Sequence, residues 1–245
     1  MALYIALALC AFLFALLVYR YDLYEREPWY MLVLATALGY VAMRAAGFLE
    51  LLALRYVETH VAMAAVAALV EELSRFVMVV AIAVIFRRQF NDPMDGIVYG
   101  SMIGLGMAVE ESFYFLGILQ TTPGPLVFPV EIVRLLGHLV MAGILGFGVG
   151  LARADVPGWR GKLLRCALVA FAIHFLWDFV ALDSSAEGIS GLQTFASIAI
   201  MSFGVLYYGS LVVFGSRLSK KTFAPDSKSE LWGWPFTVLF SRGEK

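Results

Sequence analysis

Hydrophobic residues along the chain are gathered into seven long blocks separated by short polar stretches. Each block approaches the ~20 residues that an α-helix needs to cross the hydrocarbon core of a membrane. Backbone amide and carbonyl groups find no water inside lipid, so a spanning block must satisfy them within its own helix. The period-two alternation of a membrane β-barrel is absent from the sequence. The pattern therefore predicts an all-α, polytopic transmembrane helical bundle of about seven spans.

We expect the spans at Ala2–Tyr19, Trp29–Leu49, Val61–Phe86, Met94–Leu119, Val127–Leu151, Leu163–Leu182 and Leu192–Phe214. Residues 1–214 would form a single membrane domain. Residues 215–245 would form a polar tail whose aromatic-rich stretch, Leu231–Phe240, lies along the interface. The first block lacks a preceding basic region and a following small-residue cleavage site, so we expect it to be retained. Composition agrees with a membrane protein, because 61% of the residues are hydrophobic and only 15% are charged.

Basic residues are concentrated in alternate loops. The first, third and fifth loops and the segment after the last span contain Arg20, Arg26, Arg87, Arg88, Arg153, Arg160, Lys162, Arg165, Arg217, Lys220 and Lys221. The second loop has only Arg55, and the fourth (Gln120–Leu126) and sixth (Asp183–Gly191) have no Lys or Arg. Short basic loops stay in the cytoplasm. We therefore expect a multi-pass plasma-membrane protein with its N-terminus outside and its C-terminus in the cytoplasm. A net charge of −1 gives no indication of nucleic-acid binding.

Ionisable side chains interrupt the middle spans, where each costs about 2.5–3.5 kcal/mol on insertion scales and is a functional candidate. They are Glu71, Glu72 and Arg75 in the third span, Glu110 and Glu111 in the fourth, Arg134 and His138 in the fifth, and His174 and Asp178 in the sixth. At ~1.5 Å per residue, Glu72, Glu111, His138 and His174 all fall roughly 12–17 Å below the outer surface. The shared depth predicts one site, displaced slightly outward from the midplane. Glu110 is expected to be structural.

Spacing within the helices supports this site. Both glutamates of the third span can reach Arg75 on one face, and His174 and Asp178 are i,i+4 neighbours. Small residues at four-residue intervals let membrane helices approach closely. We expect those of the fourth and fifth spans, such as Gly100 and Gly146, to bring these helices to the third.

Three kinds of function use this set of side chains. A carboxylate beside histidines can activate water as a general base, and histidine or arginine donors can stabilise an oxyanion. Zinc could instead be bound by Glu72, His138 and His174, although the local H-E-x-x-H signature is absent. An ion-coupled transporter also places acids and histidines near the midplane. Composition and depth alone do not separate the enzymes from the transporter.

Four segments resemble the motifs of the PrsW family of intramembrane proteases. Glu71–Arg75 resembles its EExxK/R motif, and Asp95–Ser112 resembles its DGIVYG…GLGFAxxEN segment. Arg134–His138 and Ala172–Phe179 resemble its third and fourth motifs, so the resemblance covers residues 71–179 in the family's order. The wider superfamily includes the Abi proteins and the CAAX prenyl endopeptidases. Four positions depart from the family pattern, namely Arg75 for Lys, Met107 for Phe, Ser112 for Asn and Asp178 for Asn.

The resemblance implies a seven- or eight-helix peptidase that cuts a membrane-anchored, single-pass protein arriving through the lipid bilayer. The family's namesake cleaves an anti-sigma factor at an extracytoplasmic site, which is the first step of regulated proteolysis. Cleavage at an extracytoplasmic site agrees with the position of the polar residues, which lie slightly nearer the outer surface than the midplane. The resemblance does not decide between a glutamic mechanism, which requires no cofactor, and a zinc mechanism. We favour the glutamic one.

The expected catalytic residues are Glu71, Glu72, Arg75, Glu111, His138, His174 and Asp178. Glu72 is the preferred base that activates water, with Glu71 as the alternative, and Arg75 would hold the other carboxylate. Glu111 and the two histidines would position water or stabilise the oxyanion, and Asp178 would orient His174.

Overall fold

The computed structural model describes residues 2–118, 127–182 and 190–227, and these residues form a bundle of helices without a β-strand. The helices are α1 (Ala2–Tyr21), α2 (Trp29–Ala53), α3 (His60–Ile85), α4 (Pro93–Ile118), α5 (Val127–Arg153), α6 (Trp159–Leu182) and α7 (Gly191–Phe223). A short 3₁₀ helix, Leu54–Tyr56, follows α2. The prediction of an all-α bundle of about seven helices is confirmed. The aromatic-rich stretch Leu231–Phe240 and most of the fourth and sixth loops lie outside the described residues.

The end of α7 differs from its predicted position. The helix continues past Phe214 to Phe223, because one face of its last turns is buried although the sequence there is polar. Gly215 lies beside Met94 and Ile97 of α4, and Ser219 on the same face is also buried. Lys220 and Lys221 in the last turn interact favourably with the negative end of the helix dipole. The tail therefore begins as a helix that packs on the bundle.

Five helices are long and apolar enough to cross a membrane, namely α1, α2, α5, α6 and α7. The other two, α3 and α4, are less apolar because of the residues that they carry. The centre of α3 carries Glu71, Glu72 and Arg75, and α4 combines its glutamates with several glycines. Both helices hide these groups inside the bundle, whereas α1 presents Leu9 and Phe12 on its exposed surface, as lipid contact requires. The protein is therefore a multi-pass membrane protein with a polar interior.

Helix α4 occupies the centre of the bundle. It packs most extensively against α5 and α2 and also touches α1, α3 and α7. Its residues from Met94 to Ala108 are all buried. A helix surrounded in this way has no free face, so each of its side chains must fit a neighbour. Its position brings Glu111, one turn beyond the buried stretch, toward the polar residues of α3 and α5.

Glycines let α4 meet its neighbours backbone to backbone. A Cβ atom on Gly100 would overlap the carbonyl of Ala142 in α5, and one on Gly104 would overlap the carbonyl of His138. On the opposite side, a Cβ on Gly106 would overlap the carbonyl of Thr36 in α2. The expectation that the glycines bring α4 and α5 to α3 is therefore wrong. They instead join α4 to α5 and α2, and Gly104 fixes the backbone position of His138.

We predict that Gly104→Ala destabilises the bundle by about 1–3 kcal/mol, the usual cost of inserting a methyl group into a well-packed interior. The matched control is Gly47→Ala in α2, where no atom lies within 4 Å of the new Cβ. Thermal unfolding of both variants in detergent tests this. Equal midpoints for the two variants would contradict the close contact between α4 and α5.

Candidate active site

Arg75 lies at the centre of a polar cluster and links α3 to α5. Its side chain is 0% exposed and forms an ion pair with Glu72 one turn earlier in the same helix. Its Nη2 donates to Nδ1 of His138 across a distance of 3.0 Å. The same nitrogen is 3.8 Å from Oε2 of Glu71. A guanidinium offers five donors in a fixed plane, so one side chain can hold groups on two helices.

His174 connects α6 to both glutamates of α3. Its Nδ1 is 2.9 Å from Oε1 of Glu72. Its Nε2 is 3.5 Å from Oε2 of Glu71 and 3.5 Å from Oδ2 of Asp178. If Nδ1 donates to Glu72, the ring orientation is fixed and Nε2 faces the two other carboxylates. The i,i+4 spacing of His174 and Asp178 thus brings them together as the sequence predicts.

His138 connects α5 to α4. Because its Nδ1 accepts from Arg75, its Nε2 carries the hydrogen and donates to Oε2 of Glu111 across 2.8 Å. The other oxygen of Glu111 is 3.3 Å from Nε of Arg134, whose Nη1 is 2.5 Å from Glu131. Glu111 is therefore held between two groups of α5. All seven sequence-predicted site residues belong to this one cluster, to which four helices contribute.

A cavity of about 380 Å³ opens beside the cluster. Glu71, Glu111, His138, His174 and Asp178 line it. Its wall continues to the short 3₁₀ helix and the first turn of α3, so the cavity extends toward the end of the bundle where α2 meets α3. This volume accommodates several water molecules together with a short stretch of polypeptide.

The two adjacent glutamates face different spaces. Glu71 lines the cavity, and its Oε2 is buried without a hydrogen-bond partner among the described residues. Glu72 instead borders an apolar groove of about 560 Å³ between α3 and α6, together with Leu73 and Phe76. Neighbouring residues of a helix point ~100° apart, which explains the difference. Glu71 is thus open to the cavity, whereas Glu72 is engaged by Arg75 and His174.

Sequence reasoning did not include Glu50 in the site. It follows the second predicted span, lines the cavity, and has a buried Oε1 without a hydrogen-bond partner among the described residues. A carboxylate at the end of a long apolar block was the available signal.

Glu110, which we expected to be structural, forms an ion pair of 3.0 Å with Arg44 in α2 and does not line the cavity.

The cluster contains the nitrogen and oxygen donors that zinc prefers, but they do not converge as a metal site requires. Arg75 binds both Glu72 and Nδ1 of His138, which are two of the three residues expected to hold a metal. Among the described residues, one group of three His, Cys, Asp or Glu side chains brings its ligand atoms within 4.8 Å of one another, and it lies elsewhere. In this arrangement the residues do not fit a zinc ion.

A family model and two similar proteins all point to the same protein family. A family model described as "PrsW family intramembrane metalloprotease" matches residues 27–209, which include every residue of the cluster. "Protease PrsW" of Geobacillus kaustophilus (strain HTA426) is 31% identical over 124 residues, 50% of this chain and 52% of that protein. "Protease PrsW" of Bacillus subtilis (strain 168) is 31% identical over 181 residues, 68% of this chain and 77% of that protein. The chain thus spans about half of the Geobacillus protein. No solved structure matches.

We predict that Arg75→Leu destabilises the protein by about 3–5 kcal/mol, because it leaves buried carboxylate and imidazole groups without their cation. The control is Arg44→Leu, whose side chain is 65% exposed and pairs only with Glu110 among the described residues. Because it leaves one partner without a cation instead of several, it should destabilise the protein less. Unfolding in detergent measures both. If Arg75→Leu lowers the free energy of unfolding no more than Arg44→Leu does, the buried network does not stabilise the bundle.

Proposed function

Because the chain belongs to the PrsW family of intramembrane proteases, a family of peptidases, we propose that it hydrolyses a peptide bond of a membrane-anchored protein with water activated by Glu71. One observation carries this proposal. Glu71 has a carboxylate oxygen without a hydrogen-bond partner among the described residues, and that oxygen lies beside two histidines at the wall of the cavity. A general base must present a free lone pair to water within hydrogen-bonding reach.

The contacts favour Glu71 over Glu72, which the sequence alone made the preferred base. Oε1 of Glu72 accepts from Arg75 and is 2.9 Å from Nδ1 of His174. Its Oε2, like that of Glu71, has no hydrogen-bond partner among the described residues, but Glu72 does not line the cavity, whereas Glu71 does. We assign Glu72 a positioning role, in which it fixes the ring of His174. Arg75 then holds the second glutamate, as the sequence suggested, but with the two glutamates exchanged.

The proposed reaction proceeds by proton transfer through Glu71. Its carboxylate takes a proton from water as the oxygen adds to the carbonyl carbon of the scissile bond. The same proton then passes to the leaving nitrogen as the C–N bond breaks. Nε2 of His174 and Nδ1 of His138 lie 3.5 Å and 3.9 Å from Oε2 of Glu71, so the two rings flank the position of the water and of the developing oxyanion. In its positively charged form, His174 would donate from Nε2 to the oxyanion, a contact that stabilises the transition state. Nδ1 of His138 accepts from Arg75, so this ring borders the site without donating to the oxyanion.

The supporting residues keep the two rings in place. Glu111 accepts from His138, and Asp178 lies beside Nε2 of His174. Each ring therefore has a carboxylate partner, which orients the imidazole. No step of this proposal passes through a metal ion.

The proposed substrate is a single-pass membrane protein, with an anti-sigma factor as the specific candidate implied by the family resemblance. The loop charges favour an N-terminus outside, and with this orientation the cavity would open toward the extracytoplasmic surface of the plasma membrane. A substrate cut there would be cleaved near its outer membrane boundary. The protein would thereby perform an early cleavage in a regulated proteolytic sequence.

We predict that Glu71→Gln lowers the cleavage rate of a reconstituted single-pass substrate by about 10²–10⁴-fold, the usual contribution of a general base. Glu72→Gln should reduce the rate less, because a glutamine oxygen still accepts from Arg75. Glu110→Gln is the matched control and should cleave at the wild-type rate, since Glu110 pairs with Arg44 away from the cavity. Cleavage rates measured in liposomes test this ranking of the three variants. If Glu71→Gln still cleaves and Glu72→Gln is inactive, Glu72 is the base.

We also predict that cleavage persists after treatment with the zinc chelator 1,10-phenanthroline, because the proposed steps need no metal. Elemental analysis of the active protein should show less than one zinc per chain. Activity that chelation abolishes and zinc restores would instead support the zinc mechanism, with Glu72, His138 and His174 as the expected ligands.

A further inference from the structure

A second polar cluster lies at the opposite end of α4 from Glu111. It consists of the carboxylates of Asp22, Glu25 and Glu27 from the α1–α2 loop, Asp92 before α4, and Asp95 in its first turn. Sixteen residues of helix separate Asp95 from Glu111, a distance of about 24 Å at 1.5 Å per residue. The cluster is therefore separate from the proposed catalytic cavity, and the proposed mechanism does not use it.

Three of these carboxylates converge on one point. The ligand oxygens of Asp22, Glu27 and Asp95 lie within 4.8 Å of one another. Their side chains are buried, with residue exposures of 2%, 4% and 1%. Two oxygens bound to the same Ca²⁺ at about 2.3–2.6 Å can be at most about 5 Å apart. Small side-chain adjustments would therefore bring all three oxygens to a single cation.

The cluster also contains buried oxygens with no donor. Oδ2 of Asp22 and Oε2 of Glu25 are buried without a hydrogen-bond partner among the described residues, and Asp22 is 2% exposed. Within the described ranges, no ion pair joins any of the five acids to Lys or Arg. An unpaired buried carboxylate is costly, so such a group needs a cation or a proton. Asp22, whose Oδ2 is unpartnered, is one of the three converging residues.

The cluster concentrates negative charge. Asp92 and Glu25 lie near Asp22, and the hydroxyl of Tyr99 donates to Glu27. A divalent cation would offset the repulsion among these carboxylates.

The chemistry of the donors narrows the class of ion. All donors of the converging trio are carboxylate oxygens, without nitrogen or sulfur. Hard divalent cations such as Ca²⁺ and Mg²⁺ take oxygen ligands of this kind, whereas zinc favours sites that include histidine or cysteine. Backbone N–H groups of Asn91 and Asp92 donate to Oδ2 of Asp95, at 2.6 Å and 2.8 Å, and orient its carboxylate.

We propose that Asp22, Glu27 and Asp95 bind one hard divalent cation, represented by Ca²⁺, which clamps the α1–α2 loop to the start of α4. Two of the ligands come from the loop and one from the central helix, so the ion would restrain the loop against the bundle. Asp92 lies close enough to add charge to the site. Occupancy would stabilise the folded protein, because the site does not exist in the unfolded chain.

Equilibrium dialysis of the full chain in detergent with ⁴⁵Ca²⁺ tests this proposal. We expect saturable binding of one Ca²⁺ per chain. Asp22→Asn should weaken it by at least about tenfold, a loss that even outer-shell changes cause at metal sites. Asp155→Asn is the matched control, since Asp155 is an exposed acid in the α5–α6 loop, and it should bind as the wild type does. The assay requires no protease activity, so its outcome is independent of the proposed catalytic mechanism.

Thermal unfolding provides a second readout and a check of folding. Ca²⁺ should raise the unfolding midpoint of the wild type and of Asp155→Asn but not that of Asp22→Asn. With EGTA, Asp22→Asn should unfold at or above the wild-type midpoint, because it removes one of several repelling charges. If Asp22→Asn does not fold, Glu27→Gln replaces it in both assays. The proposal is overturned if the wild type shows no saturable Ca²⁺ binding, or if the ligand variant binds Ca²⁺ as well as the wild type does. The carboxyl groups of the cluster would then share protons instead of binding a cation.

Discussion

The buried guanidinium of Arg75 is the group on which the rest of the site depends. It is fully enclosed by protein and contacts Glu72 of its own helix and His138 of α5. Charges at this depth in a membrane protein are tolerated only where partners of opposite charge surround them. The ion pair engages Glu72, which does not line the cavity, whereas its neighbour Glu71 does. The proposed base is therefore the glutamate that Arg75 holds less closely, at 3.8 Å.

The fold supplies the fixed distances that this arrangement needs. Helices α4 and α5 meet at glycines, where backbone approaches backbone without intervening side chains. Interiors packed this closely deform little, so His138 and Glu111 keep their separation of 2.8 Å. The cost of several buried ionisable groups is offset by their mutual pairing and by the apolar outer helices, which keep them away from lipid. The histidines are therefore oriented before any substrate arrives.

Much of this structure follows from the sequence, and the exceptions have physical reasons. The apolar blocks and their lengths were sufficient to locate the helices, and shared depth with i,i+4 spacing was sufficient to predict that polar residues of four helices lie together. Depth does not fix the rotation of α3 about its axis, however, so the sequence could not tell which glutamate faces the cavity. Packing against α5 and α6 decides that.

The remaining differences have the same origin. Glycine spacing identifies a close-packing face but not the neighbour that meets it, so α3 was expected where α5 and α2 are found. The polar end of α7 is helical because tertiary contacts bury one of its faces. Asp22 and Asp95 are distant in sequence, and no local pattern connects a loop acid with a helix-start acid.

Chemical labelling tests the central claim, that the cavity exposes Glu71 and not Glu72, most directly. Sealed vesicles that contain the protein would be treated with a small water-soluble carbodiimide and a nucleophilic amine, and the modified glutamates located by fragmentation mass spectrometry. The account predicts modification of Glu71, with a matching loss of cleavage, and protection of Glu72. Modification of Glu72 with an unreacted Glu71 would contradict it.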